Sequence, residues 1–206
     1  MTLNSGFVRS LTASDFLFSR KSLKMVLSYV MEIEKRILEP VSGFSREIGY
    51  YLSGWEKVRR QVRETVSDLS DEELARRILP NAHQIGGLIL HLGEAEAGWI
   101  HSFVAGKELS EEAKKFAHWY DTTETDFAEK DYSASDCIER IDEISRMSRE
   151  ILAKYADEDL ERLFGYDREG RRIEVSLRWV LIHLIEHEAT HKGQIAMLKR
   201  LLREGV

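Results

Sequence analysis

One stretch restricts what this chain can fold into more than any other. In IHLIEHEATHKGQI, from Ile182 to Ile195, His183, His187 and His191 stand four residues apart. A helix advances about 100° per residue, so each step of four drifts by only ~40° and the three rings project from one face. Neighbouring side chains on such a face are ~6 Å apart at Cβ, which lets two imidazoles share one metal ion. Leu184, Ile195 and Leu198 lie near the same face, so the rings are expected to point toward a core rather than into water. The spacing predicts a helix from Val175 to about Leu202. The remainder of the chain has to supply what it packs against.

Composition favours a helical answer. Only Pro40 and Pro80 interrupt 206 residues, and Leu, Glu, Arg and Ala are abundant. The length suffices for one domain with a sizeable core. A net charge of −6, with Lys and Arg dispersed among acids, argues against a nucleic-acid surface, which needs clustered cations. The run RRQVRE from Arg59 to Glu64 reads as a solvated helix face. The single cysteine, Cys137, excludes an intramolecular disulfide. No run of about 18 apolar residues appears, so no membrane span is expected. The N-terminus MTLNSGFVRSLTASDF lacks the charged-then-apolar plan of a signal peptide, and a cytoplasmic protein is the expectation.

Periodicity divides the chain at Pro40. Residues 1–40 read as an N-terminal helical extension, with Phe16, Leu23, Val26, Val30, Ile33 and Ile37 at helical spacing over residues 12–38. Residues 41–206 read as an all-α four-helix bundle with additions. Its helices are expected over about 45–66, 82–104, 133–155 and 175–202, each with an apolar stripe. Ser70 with Glu73 predicts a capping box for a short helix before Pro80, and a second short helix is expected near Ser110 to Ala117. Ser133 or Ser135 opens the third long helix, after a polar crossover. Before the last helix, Leu163–Tyr166 and Arg172–Val175 flank Asp167-Arg168-Glu169-Gly170, which predicts a small hairpin. The Gly86-Gly87 pair is expected to let another helix approach closely.

Catalytic metal sites use three protein ligands and keep one position open. His187 and His191 supply two. The third is best sought on a facing helix, where His91 lies in LILHLGEAEAGWI on the stripe of Leu88, Leu92 and Ala95. Glu94, three residues on and the candidate catalytic residue, is placed to orient a ligand or to act on the metal-bound water. His183 competes as a fourth ligand, as a hydrogen-bond donor behind one, or as a core residue. His83 suits a helix cap, His101 faces elsewhere on the helix, and His118 falls in the crossover. Burying several imidazoles without partners costs about 1–3 kcal/mol each, whereas one metal satisfies them together. Cys137, near a helix start, is open to two readings, a thiol activated by the dipole or an inert structural residue.

These residues resemble the DinB/YfiT superfamily of helix-bundle metalloproteins, including its thiol-dependent transferase branch. The resemblance rests on NAHQIGGLILHLGEAEAGWI, on YDREGRRIEVSLRWVLIHLIEHEATHKGQIAML and, more loosely, on the segment through LSDEEL, together about Phe44 to Leu202. It implies a divalent metal, zinc or nickel, held by His91, His187 and His191, with His183 one turn before the pair and off the metal. It also implies a homodimer, a small-molecule substrate, and transfer or isomerisation using a low-molecular-weight thiol such as bacillithiol or mycothiol. Two other functions fit the same residues: a non-catalytic metal-binding or stress-response protein in which the ion staples two helices, and a metal-dependent hydrolase. Trp99, Trp179, Arg178 and Tyr50 are candidate pocket residues.

Overall fold

The computed structural model describes residues 34–80, 82–117 and 133–205. The helices expected in the N-terminal extension lie outside the described residues up to residue 33, as do the crossover and His118. Residues Leu38–Val206 form one compact unit, which carries every described helix and strand.

Local signals set the ends of most elements. Helix α1, Arg46–Val66, begins at Ser45, and its first amides, of Glu47 and Ile48, donate to the Asp157 carboxylate at 2.9 and 3.1 Å. Helix α2, Asp71–Ala75, opens on the expected Ser70/Glu73 capping box. Helix α3 is Ile85–Glu96 and continues as a π-helical segment, Ala97–Val104. It starts three residues later than expected because Gln84, in extended geometry, is the N-cap. Helix α4, Glu111–Phe116, is capped by Ser110. For α5, Ala134–Leu152, Ser133 rather than Ser135 is the cap, because only Ser133 has Asp136 three residues on to close the box.

A 3₁₀ turn, Asp157–Glu161, leads into strands β1, Leu163–Arg168, and β2, Arg171–Ser176. They pair antiparallel from Leu163↔Ser176 to Arg168↔Arg171. Two residues close the hairpin, Glu169 at φ 51° and Gly170 at φ 75°, the left-handed pair of a tight hairpin turn. Ser176 then caps α6, Leu177–Glu204, and left-handed Gly205 ends it. Among the described residues no helix is long and apolar enough to cross a membrane.

The four long helices pack α1 on α6, α3 on α5 and α3 on α6. Their apolar stripes form two main clusters, one around Ile48, Leu52, Ile100, Leu181 and Leu184, the other around Val62, Leu88, Leu92, Ile141 and Ile195. Along each helix, a polar residue lies between its contributions to the two clusters: Arg59 in α1, Glu96 in α3, Ser145 in α5 and Glu188 in α6. The bundle therefore has a buried charged layer at its waist. Arg59, Glu96 and Glu188 are each at most 4% exposed, which corrects the solvated face expected for the Arg59–Glu64 run.

Glycine marks two close approaches. Gly86 and Gly87 are buried in α3, and further along the helix Gly93 lies close to α5, where a Cβ would be 3.1 Å from Ile141 Cγ2. At Gly49 in α1, a Cβ would lie 2.9 Å from Pro40 Cβ and 3.0 Å from the Val41 carbonyl oxygen. Glycine to alanine inside a helix ordinarily stabilises by up to about 1 kcal/mol. Gly49→Ala should do the opposite, destabilising by about 1–3 kcal/mol, because the backbone of the preceding segment must move. Urea midpoints of the two proteins check this; a more stable variant would show that Pro40 and Val41 do not pack there in solution.

Candidate metal centre

Helices α3 and α6 bring His91, His187 and His191 together. Nε2 of His187 lies 3.2 Å from Nε2 of His91 and 3.1 Å from Nε2 of His191. One donor atom from each ring falls within 4.8 Å of the others, the only such set of three or more His, Cys, Asp or Glu among the described residues. Two nitrogens on a tetrahedral ion with bonds of about 2.0–2.1 Å would be ~3.3 Å apart.

The opposite ring nitrogens decide what those Nε2 atoms carry. His91 Nδ1 donates to Glu94 Oε2 at 3.0 Å, and His191 Nδ1 donates to Gln194 Oε1 at 2.7 Å. Since carboxylate and amide oxygens only accept, both rings hold their proton on Nδ1 and present an Nε2 lone pair inward. His187 Nε2 faces both lone pairs and has at most one proton to offer. One lone pair is left facing the cluster, an arrangement that suits a cation. Burial, followed by the neighbouring His191 and His91, pushes the His187 pKa down to about 3. Burial also lowers that of His191, with the Gln194 bond opposing. Both rings are thus in the neutral, ligating form at neutral pH.

The cluster sits at the edge of the core. The fully buried face of α6 is Leu181, Leu184, Glu188 and Ile195, while the three histidine rings one step round are half-buried. The expectation that they point into the core is corrected to that extent. His183 stays out of the donor set: its ring stacks on Trp179, with centroids 4.8 Å apart and planes 7° apart, and meets Trp99 at 5.1 Å. Of the four candidate pocket residues, Trp99 lines the cavity beside the histidines. Arg178 is turned away, donating to Glu161, Glu47 and Tyr51 at 2.6, 2.7 and 2.8 Å. Tyr50 lies under the Arg46 guanidinium. Cys137 is buried, and desolvation, helped by Asp136, pushes its thiol up to about 12, so the activated-thiol reading falls.

The cavity has a volume of about 490 Å³, within the ordinary range for small-molecule sites. His91, Glu94 and His187 line it together with Trp99, Phe103 and Tyr166. Tyr166 and Arg168, which also lines it, come from β1. Nothing in the sequence near the histidines pointed to them; the one available sign was that Tyr166 and Arg168 alternate on one face of the predicted hairpin strand.

Behind the cluster lies the charged layer. Glu188, next in sequence to His187, accepts from Arg59 Nε at 2.6 Å, from Arg59 Nη2 at 2.8 Å and from Trp55 Nε1 at 2.5 Å. Arg59 also donates to Glu96 at 3.0 Å and to Ser145 Oγ at 2.8 Å. His101, buried on the opposite side of the π-helical segment from Trp99, meets Ser148 Oγ at 2.9 Å. Burial pushes the Glu96 pKa up against the pull of Arg59. Burial alone would lower that of Arg59, but Glu188 and Glu96 more than offset it and the guanidinium stays charged. The layer fixes how α6, and with it the histidine row, sits against α1 and α3.

The sequence model of the mycothiol-S-transferase family matches residues 52–204. Two crystal structures share the fold. A DinB-like protein from Bacillus cereus ATCC 10987 is 23% identical, with a TM-score of 0.54, over 74% of this chain and 91% of its own. A conserved protein from Enterococcus faecalis is 13% identical, with a TM-score of 0.56, over 73% and 94%. No curated protein matches the sequence.

Proposed function

Because the chain belongs to the mycothiol-S-transferase family, we propose that it transfers a low-molecular-weight thiol of the mycothiol or bacillithiol kind onto a small electrophile at a metal held by His91, His187 and His191. The observation that carries this reading is the convergence of three Nε2 atoms, two with inward lone pairs, beside a 490 Å³ cavity that His91 and His187 line. Three protein donors is the number used by catalytic zinc sites, and an all-imidazole set suits zinc or nickel. A divalent ion held there supplies Lewis acidity that favours the thiolate form of a nearby thiol.

The chain's own residues supply the rest. Glu94 fixes the His91 tautomer through Nδ1 and also lines the cavity, so its carboxylate is the group placed to take the thiol proton. Gln194 does the same orienting work for His191. The sulfur then forms its bond to the electrophilic carbon while the electron pair of the broken bond departs with the leaving group. Trp99 and Phe103 make one side of the cavity apolar.

The test is metal content on protein purified without a histidine tag, followed by cobalt substitution and titration with mycothiol. Near-stoichiometric zinc or nickel, and a new sulfur-to-cobalt charge-transfer band on adding the thiol, are expected. Absence of metal both as purified and after adding zinc or nickel would end the transferase reading. Metal without a thiol-dependent band would leave a structural metal only.

A further inference from the structure

We propose that the cavity beside the histidines is shaped for an aromatic acid, its ring held by Trp99, Phe103 and Tyr166 and its acid group by Arg168. This deepens the transferase reading, and rests on it for the role of the ligand as acceptor.

The aromatic wall is a rigid unit. Trp99 meets Phe103 at 5.2 Å and 90°, Trp99 meets Tyr166 at 6.3 Å and 81°, and Phe103 meets Tyr166 at 5.6 Å and 85°. Three rings locked edge to face have no room to collapse onto one another, so the surface they present is preformed. Trp99 and Phe103 are four apart on the π-helical segment, which the His101–Ser148 contact pins on its other side. Opposite charge patterns on ring faces and edges let a flat aromatic guest continue this packing, which an aliphatic guest cannot. Gly98 opens the space: a Cβ there would meet nothing within 4 Å, although the residue lines the cavity.

The polar groups narrow the class further. Apart from the histidines and Glu94, the charged group in the lining is Arg168. Its ion pair is with the adjacent Glu169, at 3.5 Å, with both side chains largely exposed. A water-screened pair of that kind is easily exchanged for a carboxylate that a guanidinium grips with two hydrogen bonds. Tyr166 and Arg168 share one face of β1, so ring and acid are met by the same strand. A sugar, such as the carbohydrate part of a thiol co-substrate, would need partners for hydroxyls all round its ring, whereas the polar side chains of the lining are Glu94, Tyr166, Arg168, the Trp99 indole and the histidines, and Phe103, Ala95 and Gly98 offer none.

Isothermal titration calorimetry with 2-naphthoate, on metal-free and on zinc-loaded protein, tests this. Naphthoate should bind in both states. Gly98→Leu, whose Cβ meets no atom within 4 Å and whose branch takes up space in the cavity, should weaken naphthoate and the uncharged 2-naphthalenemethanol alike, by tenfold or more. Arg168→Gln should weaken naphthoate by about tenfold and leave the alcohol unchanged. The proposal is overturned if Gly98→Leu binds naphthoate as the wild type does, if Arg168→Gln affects acid and alcohol equally, or if cyclohexanecarboxylate binds as tightly as naphthoate. Displacement of naphthoate by glucosamine would also overturn it, giving the cavity to the sugar of the thiol. Ring binding by a protein that takes up no metal would sink the transferase reading and leave the aromatic site standing; metal uptake without ring binding would do the reverse.

Discussion

Replacing His187 by alanine should weaken metal binding by more than about 100-fold, since even the groups that orient ligands from behind are each worth 10–100-fold. His187 is the middle donor, within 3.2 Å of both other Nε2 atoms, so its loss leaves two rings on different helices that no longer share a neighbour. Competition with a chelating dye measures the change, and an affinity within tenfold of wild type would remove His187 from the ligand set. The same ring predicts an acid dependence in the metal-free protein. Its folded-state pKa of about 3 lies below the 6.5 of an unhindered imidazole, so the unfolded chain takes up the proton first as pH falls. The stability contributed by the neutral ring is therefore complete above about pH 6.5 and is lost as pH falls from there toward 3. Urea midpoints measured across that window should fall less steeply in His187→Ala than in the wild type.

Glu188→Ala should cost about 3–5 kcal/mol of folding stability, the usual penalty for removing one partner of a buried ion pair. Three hydrogen bonds end on this carboxylate, two from Arg59 and one from Trp55, and the guanidinium left behind is 4% exposed. Glu96 would then be the one carboxylate hydrogen-bonded to it, at 3.0 Å and with its own pKa pushed up by burial. Glu188→Gln keeps an acceptor for the indole while losing the charge, and should fall between alanine and wild type. Urea denaturation with an unchanged slope is the measurement. A loss under about 1 kcal/mol would mean that water reaches Arg59 from the α1–α5 side and that the layer is not dry.

The layer also shows where reading from sequence stops. Ser70 and Glu73, Ser133 and Asp136, and Ser176 mark helix starts because their partners lie within three residues. The His187–His191 spacing is legible for the same reason, and His91 could be singled out because it shares an apolar stripe with Leu88 and Leu92. Arg59 looked like one more cation in a charged run, since a string of letters does not say which of RRQVRE turns inward. Trp99 is legible as a pocket residue, whereas Arg178 is drawn away by Glu47 and Glu161, one of them 131 residues distant in sequence.

The helices, their caps, the hairpin turn at Glu169-Gly170 and the ladder of histidines are written in the order of residues, because each depends on contacts within about four positions. What those elements enclose is settled only by their packing. Trp55 and Arg59 reach Glu188 across 133 and 129 residues, His187 meets His91 across 96, and the strand carrying Tyr166 closes the wall begun by Trp99. Periodicity fixes which side of a helix is apolar, but the energy of burying a charge or turning a lone pair inward depends on what the opposite helix offers. That partner is chosen only when the faces meet.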